Sequence, residues 1–96
     1  MALVKTTAGV ETATLTSTGN AVSGAARLYG IYAVCAGSAG SIVLKNGSGG
    51  STLANIATPA DATATINVDF AVDGLDFPSA LHATLTNVTS VLFVYG

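Results

Sequence analysis

The chain has 96 residues, of which 8% are charged, and a net charge of −2. Its only bases, Lys5, Arg27 and Lys45, are too few and too scattered to neutralise a phosphate backbone, which excludes a nucleic-acid partner. The single cysteine excludes an internal disulfide, and no Cys/His cluster offers a structural zinc site, so the fold must rest on strand pairing and apolar packing.

The length suits one domain over residues 1–96 with a single modest core. Residues 1–9 read as an extended N-terminal arm, able to lend a strand to a neighbour's sheet edge. They contain no basic stretch followed by an apolar one, so no secretory leader is expected. From Glu11 to Thr18 the chain alternates, with Thr12, Thr14, Thr16 and Thr18 on one face and Ala13 and Leu15 on the other. That is a strand with an uncharged, threonine-rich outer surface. Gly19-Asn20 then supplies a turn.

Leu28 to Leu44 is a long uncharged run. It is too short and too broken at Gly37-Ser38-Ala39-Gly40-Ser41 to cross a membrane as a helix, so no membrane partner is expected. Its first part, Leu28 to Ala36, is apolar on both faces: alternation sets Leu28, Tyr32 and Val34 against Tyr29, Ile31 and Cys35. Asn46-Gly47, continued by Ser48-Gly49-Gly50-Ser51, reads as a long, mobile hairpin loop. It lacks the lysine and helix of a phosphate-binding loop.

Thr58-Pro59 marks a strand end. Ala62 to Phe70 is the clearest strand, with Ala62, Ala64, Ile66, Val68 and Phe70 on its core face. Asp73-Gly74 is a turn and Phe77-Pro78 another strand end. Leu81, Ala83 and Leu85 alternate with His82, Thr84 and Thr86; after a turn at Asn87 to Ser90, Val91, Phe93 and Tyr95 oppose Leu92 and Val94. The sum is all-β: a β-sandwich or small barrel of about seven short antiparallel strands, jelly-roll-like or immunoglobulin-like.

Candidate chemistry is sparse. Cys35 and His82 could form a nucleophile–base pair, but Cys35 lies in an apolar strand and no third group is evident to orient the imidazole. Asp69, Asp73 and Asp76 gather near one turn without the spacing of a calcium loop. Asn46-Gly47-Ser48 and Asn87-Val88-Thr89 match the glycosylation sequon, as a Ser/Thr-rich chain does by coincidence. The sequence therefore predicts no enzyme, no catalytic, cofactor or metal site, and no cofactor. A strand with two apolar faces needs cover from a loop, a terminus or a neighbouring subunit. The expected subunit-interface residues are Leu28, Tyr29, Ile31, Tyr32, Leu92 and Val94, and Tyr29 or Tyr32 could alternatively stack on a sugar.

The run Asp73-Gly74-Leu75-Asp76-Phe77, then Ala80-Leu81, then the terminal Val91-Leu92-Phe93-Val94-Tyr95-Gly96, resembles the C-terminal part of short β-sandwich virion proteins of tailed bacteriophages, particularly marine ones. The resemblance covers the last third by motif and the whole chain by size and composition. It implies a non-enzymatic capsid decoration, or cement, protein. Such a protein is made in the host cytoplasm and sits on the capsid surface, with itself as a homotrimer and the major capsid protein as partners. The alternative it leaves open is a tail- or fibre-associated receptor- or glycan-binding module. The low charge suits either, because a weakly charged surface is poorly protected against association.

Overall fold

The computed structural model describes residues 11–70 and 73–96; the N-terminal arm expected over residues 1–9 lies outside them. The described residues form nine strands and no helix: β1 (Glu11–Leu15), β2 (Gly19–Val22), β3 (Ala26–Cys35), β4 (Gly40–Asn46), β5 (Thr52–Thr58), β6 (Thr65–Asp69), β7 (Leu75–Phe77), β8 (Leu81–Thr86) and β9 (Val88–Tyr95). Two antiparallel sheets face each other. One runs β1-β9-β3-β6, with β7 also on β3, and the other runs β2-β8-β4-β5.

The pairings nest. β1 pairs with β9, β2 with β8, β3 with β6 and β7, and β4 with β5. A single two-stranded ribbon, closed at the β4–β5 hairpin, is thus rolled up so that β9 meets β3 and β8 meets β4. That order is a jelly roll and not an immunoglobulin sandwich. β7 pairs with residues 26–28 of β3 and β6 with residues 30–34. The two share one place in the sheet, so nine strands fill eight positions. The expected count of about seven falls short because the threonine run breaks at residues 16–18 into β1 and β2, leaving only Thr12 and Thr14 of its ladder on a strand.

The core lies between the sheets. Leu28, Ile31, Ala33 and Cys35 of β3 and Val91 and Phe93 of β9 meet Ile42 and Leu44 of β4 and Leu81 and Ala83 of β8, and Phe77 seals one end. Alternation places most of these correctly: Ile66, Val68 and Phe70 pack inward, as do Ala13 and Leu15 by their pairing with Phe93 and Val91.

β3 is the exception. Between Leu28 and Gly30 its register to β9 slips, so that Leu28 opposes Tyr95 and Gly30 opposes Val94. This bulge inserts one residue and reverses the parity beyond it. Leu28 therefore shares the inner face with Ile31, Ala33 and Cys35, while Tyr32 and Val34 turn outward. The strict alternation expected from Leu28 to Cys35 is corrected accordingly.

The Asn46–Ser51 loop is a hairpin connection, as expected, but it is tied down. Asn46 N–H donates to the Ser51 carbonyl and Gly47 N–H to the Ala80 carbonyl, both at 3.0 Å. The Asn46 Oδ1 also accepts from Ser79 N–H at 2.7 Å. Residues 33 positions apart are thereby pinned together, which no local signal announces.

Candidate functional site

The outer face of the five-stranded sheet carries the features that a binding surface needs. Register defines its rows. Thr14, Leu92, Tyr32 and Asn67 run across β1, β9, β3 and β6 in one row; Thr12, Val94, Gly30 and Asp69 run across in the next. The middle of this face is apolar and aromatic, with Val34 beside Tyr32, and its two margins are polar. Tyr32 is 45% exposed, one of two large hydrophobic side chains so open among the described residues; the other is Leu53, on the opposite sheet.

In the second row the Gly30 position has no side chain. The gap it leaves is a shallow groove of about 260 Å³, walled by Val94 on one side and Asp69 on the other, with Tyr32 and Asn67 above and Tyr29 below. A Cβ at Gly30 would lie 3.1 Å from the Val68 carbonyl oxygen and 3.3 Å from Asp69 Oδ1. The carboxylate thus stands over the groove floor, and any larger residue would fill the groove.

The groove has a built wall at its lower end. Tyr29, displaced by the bulge, accepts a hydrogen bond on its carbonyl from Phe70 N–H at 2.9 Å. Its ring lies against the turn at Gly74, whose φ of +71° is left-handed backbone. A side chain there would meet Arg27, the Leu28 carbonyl and Tyr29 at 2.9–3.0 Å. Arg27 ties the same turn, donating from Nη1 to the Asp73 carbonyl at 2.6 Å and standing 3.9 Å from Asp76. Among the described residues, the Asn67 and Asp69 side chains have no hydrogen-bond partner, and both are exposed, so their polar atoms are available to a ligand.

No family model matches this chain, and neither a curated protein nor a solved structure does.

The six expected interface residues divide. Tyr29, Tyr32, Leu92 and Val94 share the outer face. Leu28 and Ile31 are 0% and 2% exposed and belong to the core, so they offer no side chain to a partner; the bulge put them there. Cys35 and His82 are not brought together as a working pair. Cys35 is sealed in the core at 0% exposure, whereas His82 alternates with the core residues Leu81 and Ala83, and its buried Nδ1 has no hydrogen-bond partner. The three aspartates also separate: Asp69 faces the groove, while Asp73 and Asp76 belong to the Arg27 turn. Among the described residues, no three His, Cys, Asp or Glu side chains gather to hold a metal ion, and no helix is long and apolar enough to cross a membrane.

Sequence reasoning missed Gly30, Asn67 and Asp69 as parts of one site. A signal was present, since a lone glycine inside an apolar strand marks a bulge or a close backbone approach.

Proposed function

We propose that this chain is a non-enzymatic structural protein of a tailed-phage virion. In this reading it is a capsid decoration module that associates with copies of itself, as a homotrimer, and with the major capsid protein on the head surface. One observation carries the proposal: a chain with 8% charged residues leaves Leu92, Val94, Val34 and Tyr32 together on the outside of a sheet. Cover by a second protein surface removes that apolar area from water. A stable interface buries about 800 Å² per partner, and one face of a molecule measuring 37 × 35 × 21 Å is large enough to supply it. The half of the face nearest β1, where Leu92 and Val94 are flanked by the uncharged Thr14 and Thr12, suits packing between identical copies because it places no like charges opposite each other. The jelly roll is also used by capsid proteins, an analogy of fold that supports the reading without carrying it.

The test is the mass of the purified protein by light scattering, together with its binding to isolated phage heads. The expected result is an oligomer, or a monomer that binds heads, with association lost in Leu92→Glu. A monomer that also leaves phage heads bare overturns the proposal.

A further inference from the structure

We infer that the groove over Gly30 is a saccharide-binding site that takes a single neutral pyranose ring, such as the terminal residue of a glycan. The inference rests on the groove alone and concerns the unassembled chain, because Tyr32 and Val94 belong both to the groove and to the proposed assembly face.

A pyranose has an apolar face of C–H groups and a rim of hydroxyls. It is bound by a surface that offers both an exposed aromatic or aliphatic platform and unpaired polar atoms at its edge. Tyr32, 45% exposed, and Val94 supply the platform. Asn67 and Asp69 lie in the same two rows, one pairing across from Tyr32 and the other from Gly30. The amide can both donate and accept, and the carboxylate can accept from two adjacent hydroxyls. These side chains have no hydrogen-bond partner among the described residues, so binding sacrifices no hydrogen bond among them.

The size of the groove sets the ligand. About 260 Å³ is below the usual range of roughly 300–1,000 Å³ for sites that enclose drug-sized ligands, and it holds one ring and not an oligosaccharide chain. The absent side chain at Gly30 creates that space between Val94 and Asp69. A ligand of about twelve heavy atoms at ordinary ligand efficiency binds with a Kd on the order of 1 mM, which becomes useful when several copies act on one surface. A cationic group could also meet two tyrosines and a carboxylate. The shallow groove and the donor–acceptor amide of Asn67 favour a flat, hydroxylated ring over a caged cation.

The full chain, labelled with nitrogen-15, is titrated with the methyl pyranosides of glucose, galactose, mannose and N-acetylglucosamine while amide shifts are followed by NMR. At least one of them is expected to give saturable shifts at Gly30, Tyr32, Asn67 and Asp69. Tyr32→Ala and Asp69→Ala each lower that affinity about tenfold or more, Tyr32→Phe retains it, and Thr84→Ala on the opposite sheet leaves it unchanged. Dispersed spectra of the variants confirm that they fold. Absence of saturable shifts with all four sugars overturns the inference, as do shifts that survive in Tyr32→Ala and Asp69→Ala. Saturation by arginine methyl ester in place of the sugars overturns it in favour of a cation site. Sugar shifts retained in Leu92→Glu when self-association is lost support a groove that binds without the assembly contact.

Discussion

The two sheets present unlike faces to solvent. On the four-stranded sheet, Asn20 and Lys45 flank the buried His82 in one row and Thr84, Val43 and Asn55 form the next, while Leu53 of β5 is 38% exposed. Across the five-stranded sheet the corresponding positions hold Leu92, Tyr32, Val94 and the gap at Gly30, with polar residues at the margins of these two rows and Ser90 opposite Val34. Both faces belong to one core and one rolled ribbon, so the fold does not require the difference. A sheet face that meets only solvent can be threonine, asparagine and lysine, whereas an exposed apolar centre lowers solubility.

The largest contrast lies within a single strand. Phe93→Ala empties a fully buried core position and should cost about 3–5 kcal/mol. Leu92→Ala next to it, on the outer face, should cost about 1 kcal/mol or less in the isolated chain. Urea unfolding of the two variants measures this. Equal losses would show that the outer face is covered within the same molecule, and the contrast between the sheets would fail.

Gly74→Ala comes next. It forces a side chain into left-handed backbone and against the Leu28 carbonyl and Tyr29. The expected cost is about 1–3 kcal/mol. Loosening the Tyr29 wall should also weaken any ligand of the groove, while an alanine at Thr84 on the other sheet does neither. Unfolding and ligand titration of the same variants separate the two effects.

His82 tests the polar face. It is 8% exposed with an unpartnered Nδ1, and an unsatisfied buried polar atom is unfavourable. His82→Leu is therefore expected to be neutral or to stabilise the protein by up to about 1 kcal/mol. A clear destabilisation in thermal or urea unfolding would show that the ring makes an interaction worth keeping.

The smallest effect concerns the turn before β6. The Asp61 carboxylate accepts from the Thr63 hydroxyl at 2.7 Å and from Thr63 N–H at 2.9 Å. The hydroxyl bond first, and the backbone bond second, hold its pKa below the ordinary carboxylate value. A lowered pKa in the folded state means that the contribution is present at neutral pH and is lost as pH falls through the folded pKa. Asp61→Asn should thus be slightly less stable than the native chain at pH 7 and match it in acid. Asp61 is fully exposed, so the difference will be small; a difference that grows in acid would contradict the assignment.

Local pattern was a good guide wherever strand parity is uninterrupted. Ile66, Val68, Leu81, Ala83, Val91 and Phe93 all face inward as period-two alternation requires. Pro59 and Pro78 follow the last residues of β5 and β7, because proline cannot donate to a ladder. The pattern failed at Leu28 and Ile31, where one bulge residue exchanged the faces, and at the three aspartates, which are near in sequence but were divided between the groove and the Arg27 turn.

The all-β class, the core residues beyond the bulge and the apolar character of β3 and β9 on both faces can be read along the chain, because alternation and turn chemistry act between sequence neighbours. The jelly-roll order, the tethering of the Asn46 loop to Ser79 and Ala80, and the union of Gly30, Tyr32, Asn67, Asp69 and Val94 in one groove arise from how the strands pack. Each depends on which strands meet across the sheet, and residues as far apart as 30 and 94 become neighbours only when the whole ribbon is rolled.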